Sequence, residues 1–161
     1  MMRAVLKAYG DDNRRVWLAD SFCGLPRPDP KYEADAGDEL YTFTELAVSV
    51  DDVKANFAKY GLLDDQVMFL KGWFSETLPG APVQKLAVLR LDGDMYESTM
   101  TALTSLYHKV SPGGYLIVDD YGAIRGCQEA VMNFRAAHKI KAPIQQIDGQ
   151  GVFWQKPAHQ A

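Results

Sequence analysis

Two apolar runs in this chain each stop on a pair of acids. KLAVLRLDGDMYEST delivers Asp92 and Asp94, and GGYLIVDDYG delivers Asp119 and Asp120. A hydrophobic run that ends abruptly on carboxylates reads as a buried strand whose carboxyl end opens into a cleft, the place where open α/β sheets bind their ligands. Four acids converging there repel one another unless something positive sits between them. A hard divalent cation, Mg²⁺ before others, suits such oxygen donors.

Each acid carries a bland alternative. Asp92 follows its strand directly and faces the crevice, although a plain turn acid would look the same. Asp94 opens D-M-Y-E, which also matches a helix cap in which Asp94 accepts the first amides and Glu97 reaches back. Asp119 and Asp120 are adjacent, so a regular strand sends them to opposite faces, and only a turn of the backbone brings both to one ion. Asp20 ends another strand, VWLAD, where an acid commonly accepts hydrogen bonds from ribose hydroxyls. Trp73 and Phe74, after a further strand, can flank a purine ring or simply fill core. Tyr121 follows the second acid pair and can line the cleft. His108 closes a helix, where an imidazole suits the exposed carbonyls. His138 and His159 have no partner pattern.

The elements that position these residues alternate. MMRAVLKAY is an amphipathic helix with Met2, Val5, Leu6 and Tyr9 on one face and Gly10 to stop it. A strand ends at Asp20, and a Pro- and Asp-rich loop from Gly24 to Gly37 has no periodicity. Ser49 and Asp52 start a helix that Gly61 ends. QVMFLKG and KLAVLRLD are strands, and a helix runs from Glu97 to about Val110. Ser111, Pro112, Gly113 and Gly114 turn the chain into YLIVDD. A last helix covers 128 to 138, and PIQQID with GQGVFWQK forms a closing hairpin. Such alternation predicts a three-layer α/β sandwich on a mostly parallel sheet with an antiparallel C-terminal strand.

Composition narrows the classes. At 161 residues and 47% hydrophobic content the chain has the size of one domain, taken as 1–161. A net charge of −4, with no basic stripe, argues against a nucleic-acid partner. Cys23 and Cys127 form no CxxC pattern, so neither a disulfide framework nor a zinc site is indicated. No apolar run is long enough to span a membrane, and the N-terminus lacks a secretory signal, which together suggest a cytoplasmic protein.

Taken together, VWLADSFCGLP, FLKGWFSETLP, LRLDGDMYESTMTALTSLY and SPGGYLIVDDYGAIRGCQEAV resemble the macrocin O-methyltransferase (TylF-type) family, over about residues 2 to 156. The resemblance implies a Rossmann-like methyltransferase fold. It also implies an enzyme dependent on S-adenosylmethionine and Mg²⁺ that methylates a hydroxyl on a sugar or glycosylated natural product, as in antibiotic biosynthesis. It places Asp92, Asp119 and Asp120 at the metal, Asp94 beside them as base, Asp20 and Ser21 at the cofactor ribose, and Gly72, Trp73, Phe74 and Ser75 near adenine. In the family a strand and a glycine-rich turn precede the helix that here begins at Met1. Their absence leads to the expectation of a truncated chain, a missing first strand, an incomplete cofactor pocket and a sheet edge prone to self-association. Two other classes share parts of the pattern. A D-x-D after an apolar strand also occurs in Mg²⁺-dependent phosphatases and nucleotide-sugar glycosyltransferases, and an open sheet edge also suits a non-catalytic partner subunit.

Overall fold

The apolar runs form strands where their patterns predict, and these strands pair into two separate sheets. The computed structural model describes residues 1–158, so His159 lies outside the described residues. The chain divides into two units, one built from 1–27 with 39–77 and the other from 28–38 with the residues from 78 onward.

In the first unit, β1 (Val16–Asp20) lies parallel to β2 (Val67–Lys71), with Asp20 in register with Lys71. Helix α1 (Met2–Ala8) ends as expected at Gly10, which takes a φ of 64°. Its orientation differs from the apolar pattern. Met2, Val5 and Tyr9 are exposed, and the buried residue is Arg3, whose Nε and Nη2 donate to the Asp64 carboxylate at 2.7 to 3.0 Å. A buried ion pair outweighs the apolar stripe here because an unpaired guanidinium would be far costlier to bury than a valine is to expose. Helix α2 (Val50–Lys59) is capped by Ser49, whose Oγ accepts the Asp52 amide at 3.1 Å. After β2 comes the single turn α3 (Phe74–Thr77).

The second unit carries a mixed sheet in the order β3-β4-β6-β5. Strands β3 (Leu86–Leu91) and β4 (Val110–Val118) are parallel, and β6 (Val152–Gln155) runs antiparallel to β4 and to the short β5 (Gln145–Gln146). The closing hairpin is therefore present. Leu89, Leu91, Leu116, Val118 and Trp154 are buried together with Leu103 and Leu106 of α4 (Tyr96–Leu106) and Val131 and Phe134 of α5 (Arg125–Ala137). Tyr107 and Phe134 meet edge to face at 5.3 Å between ring centres.

Two local expectations change. The helix before β4 stops at Leu106, and Tyr107–Lys109 tighten into a 3₁₀ turn, so Val110 already belongs to β4. The Ser111–Gly114 segment is an interruption within that strand: Leu86 pairs with Val110 but Val88 pairs with Tyr115. Gly113 supplies the positive φ of 76° that the interruption needs. In addition, β3 is buried on one face only, with Ala87, Val88 and Arg90 exposed between buried residues.

Helix α4 starts without a cap from its own flank. Met95 is the N-cap residue and makes no side-chain bond. The first amides are satisfied instead from the long loop: Asp35 Oδ1 accepts the Tyr96 amide at 2.6 Å and Oδ2 accepts the Glu97 amide at 3.0 Å. Asp35 is only 3% exposed. Both its oxygens neutralise helix donors that would otherwise be buried unpaired. Asp35→Ala should lower the unfolding free energy by about 2 kcal/mol, measured as a shifted urea midpoint, with Asp35→Asn losing less because one acceptor remains. An unmoved midpoint for Asp35→Ala would contradict this role.

Candidate active site

All four paired acids lie at the carboxyl ends of β3 and β4. Asp119 continues the ladder, its amide donating to the Leu91 carbonyl at 3.0 Å. The backbone then turns at Asp120, whose carbonyl accepts the amides of Ala123 and Ile124. That turn resolves the two-face problem posed by adjacent acids. Asp120 Oδ2 lies 3.3 Å from the Asp94 amide, which donates to it. The two acid pairs are thus joined directly.

The capping reading of Asp94 is corrected by Asp35, which holds the α4 amides that Asp94 was expected to accept. Asp94 instead occupies the left-handed region, with φ 55°, where a non-glycine residue is uncommon. This turn leaves its carboxyl half-buried among other acids. Burial first, and then the charges of Asp120, Asp92 and Asp38, push its pKa up to about 6. Asp120 is raised as well, chiefly by burial, while the Asp94 amide pulls it back.

The positive charge that four acids require comes from the protein itself. Arg90, the residue before Leu91, donates through Nε to Asp119 Oδ2 at 2.8 Å and through Nη2 to the same oxygen, and its Nη2 lies 3.6 Å from Asp92. The hydrogen bond to Asp119 raises the Arg90 pKa against the effect of burial. Asp92 is 62% exposed on its side chain and Asp119 25%. Among the described residues, no three His, Cys, Asp or Glu side chains are gathered to hold a metal ion, because Asp119 is turned to the guanidinium. The donor chemistry nevertheless suits Mg²⁺: carboxylates only, two of them with their ionised forms disfavoured for want of a nearby cation.

Arg90 and Asp35 were not singled out by spacing. Arg90 had a signal, since a charge interrupting L-A-V-L-R-L is unusual in a strand. Asp35 had none, because its loop lacks periodicity. Gly126 belongs with Asp35: a Cβ there would lie 2.6 Å from Asp35 Oδ1 and 3.0 Å from the Tyr96 amide nitrogen. The glycine at the start of α5 makes room for the acid that caps α4.

The expected cofactor residues gather in the first unit, at the carboxyl ends of β1 and β2. Gly72 donates its amide to the Asp20 carbonyl at 2.9 Å. Its φ of 141°, and the Thr77 methyl only 2.7 Å from where a Cβ would stand, exclude any side chain there. Asp20 Oδ1 accepts the Phe22 amide at 2.6 Å, an arrangement that needs φ 55° at Phe22, while Oδ2 has no protein partner among the described residues. Ser21 is buried and closes the turn, its Oγ donating to the Gly24 carbonyl at 2.6 Å and accepting the Cys23 amide at 3.0 Å. Ser21 is thus committed to shaping the loop. Trp73 and Phe74 are half-buried and Ser75 is exposed. A carboxylate with one anchored and one open oxygen is suited to ribose hydroxyls.

Comparison with known proteins agrees with this layout. The family profile described as macrocin-O-methyltransferase (TylF) matches residues 1–156. A Streptomyces olivaceus protein, 8-demethyl-8-(2,3-dimethoxy-alpha-L-rhamnosyl)-tetracenomycin-C 4'-O-methyltransferase, is 54% identical over 162 residues, covering 99% of this chain and 62% of that protein. Mycinamicin III 3''-O-methyltransferase of Micromonospora griseorubida is 49% identical, covering 97% and 63%. The solved structure of the O-methyltransferase NovP superposes with a TM-score of 0.94 at 49% identity, over 97% of this chain and 65% of that one. CalS11, the calicheamicin methyltransferase, shares the fold at 19% identity, with a TM-score of 0.70 and coverage of 96% and 65%. This chain spans 62% and 63% of the two curated relatives' lengths. The match sets aside the phosphatase and glycosyltransferase classes: the chain belongs to the macrocin-O-methyltransferase (TylF) family.

Proposed function

We propose that this chain belongs to an S-adenosylmethionine- and Mg²⁺-dependent O-methyltransferase acting on a hydroxyl of a sugar-bearing small molecule. The observation that carries this reading is the joining of the two acid pairs at the carboxyl ends of β3 and β4, through the bond from the Asp94 amide to Asp120. Its relatives' names, each an O-methyltransferase of a glycosylated natural product or an antibiotic precursor, support the acceptor class.

When bound, S-adenosylmethionine supplies an electrophilic methyl group on a sulfonium centre. Mg²⁺, when held by Asp92, Asp119 and Asp120, supplies a Lewis acid for the acceptor alcohol. The remaining work falls to the protein. Asp20 Oδ2 accepts from the ribose hydroxyls, while Ser21 and Phe22 fix the carboxylate that does so. Gly72, Trp73, Phe74 and Ser75 form the wall proposed to face adenine. Asp94 takes the proton from the acceptor hydroxyl at its carboxylate. A half-buried carboxyl held among other acids is a stronger base than an exposed one. Asp35 and Gly126 keep the start of α4, and with it the turn carrying Asp94, in one conformation.

Calorimetric titration with S-adenosylmethionine tests the cofactor half. Saturable binding is expected, and Asp20→Ala should weaken it by about tenfold or more through loss of charge-assisted hydrogen bonds. Absence of binding at millimolar cofactor would contradict independent cofactor use and favour a partner-subunit role. Asp94→Asn should leave that affinity unchanged within about twofold while cutting methyl transfer to a rhamnosylated acceptor by at least about a hundredfold, the scale of a lost general base. Turnover that survives Asp94→Asn would remove that residue as the base.

A further inference from the structure

Away from the acids, the end of α5 and the chain after it enclose a second feature. A cleft of about 680 Å³ lies between them, lined by Tyr121, Met132 and Ile144 on its apolar side and by Arg135, Lys139 and Lys141 on its basic side. Small-molecule sites fall in this size range and combine an apolar wall with a few placed polar groups.

Three observations show that the basic side lacks compensation. First, among the described residues no carboxylate forms an ion pair with Arg135, Lys139 or Lys141, although the chain as a whole carries a net charge of −4. Second, Arg135 is held in place without a counter-ion: its guanidinium lies 4.9 Å above the Trp154 ring and its Nη2 donates to the Ala142 carbonyl, yet its buried Nη1 has no partner. A buried unsatisfied donor calls for an acceptor. Third, Lys139 stands where helices usually place glycine. Its amide donates to the Ala136 carbonyl and the Ile140 amide to the Arg135 carbonyl, which closes α5 with Lys139 at φ 52°. A lysine at a left-handed position costs backbone energy that glycine would avoid.

We propose that this cleft binds a phosphate monoester carried on an apolar body. Three cationic side chains offer more donors than a carboxylate can use, and a phosphate dianion engages both a guanidinium fork and point charges. The acidic remainder of the chain disfavours a polyanion, so the ligand is a small molecule.

Phenyl phosphate is the probe, titrated calorimetrically into the full chain in phosphate-free buffer of low ionic strength. Lys139→Gly tests the site without threatening the fold, since glycine suits the backbone there and should leave the melting temperature unchanged or raised. Lys141→Ala is the second variant, and Arg135 is left intact because it supports Trp154. Saturable binding is expected, weakened about tenfold by each variant, with inorganic phosphate and benzoate both binding more weakly than phenyl phosphate. The proposal is overturned by an absence of saturation at several millimolar, by unchanged affinity in a well-folded Lys139→Gly/Lys141→Ala double variant, or by benzoate binding as tightly as phenyl phosphate.

Discussion

Carboxylate crowding at the ends of β3 and β4 is the constraint around which the second unit is arranged. Asp92, Asp94, Asp119 and Asp120 sit within electrostatic reach of one another, and Asp38 adds a fifth negative charge toward Asp94. Their repulsion is met in three ways. Arg90 pairs with Asp119 and reaches Asp92, the Asp94 amide serves Asp120, and Asp94 itself retains its proton more tightly than an unfolded chain would. Since its folded pKa is raised, Asp94 opposes folding increasingly as pH rises from the ordinary carboxylate value toward about 6. A fold selected for stability alone would not gather these groups; one selected to act on an alcohol has reason to.

The neighbouring structure is committed to holding that arrangement still. Asp94 keeps its left-handed backbone because Asp35 takes over the capping of α4, and Asp35 reaches the helix because Gly126 has no side chain in the way. A loop without regular structure thus places a buried carboxylate that fixes two helix starts. The first unit uses the same economy. Asp20 spends one oxygen on the Phe22 amide and keeps the other for a ligand, while Gly72 permits the tight exit from β2 beside it.

Much of this was legible in the residues. The strand ends at Asp20, Leu91 and Val118, the Ser49 cap and the stops at Gly10 and Gly61 all rest on local chemistry, and local chemistry survives into the structure. What could not be read were the interactions between residues distant in sequence. Asp35 caps a helix 61 residues away, so the D-M-Y-E pattern gave Asp94 a role that another acid holds. Arg3 is buried because of Asp64, also 61 residues away, against the apolar stripe of its own helix. Val110 joins β4 because Leu86 pairs with it, although helical periodicity extends that far. In each case a long-range partner overrode a local preference of similar size, which is the usual reason propensity fails. Arg90 is the instructive exception. Its charge within an apolar strand was visible, and the same reasoning that sought a cation among the acids could have found it one residue before Leu91.

The central claim is that the four acids need a positive charge among them, which Arg90 provides here and which a divalent cation can also provide. Thermal unfolding of Arg90→Gln with and without Mg²⁺ tests it most directly. The account predicts a lower melting temperature than wild type in metal-free buffer and recovery of most of that loss on adding Mg²⁺. An Arg90→Gln protein as stable as wild type without metal, and indifferent to Mg²⁺, would contradict it.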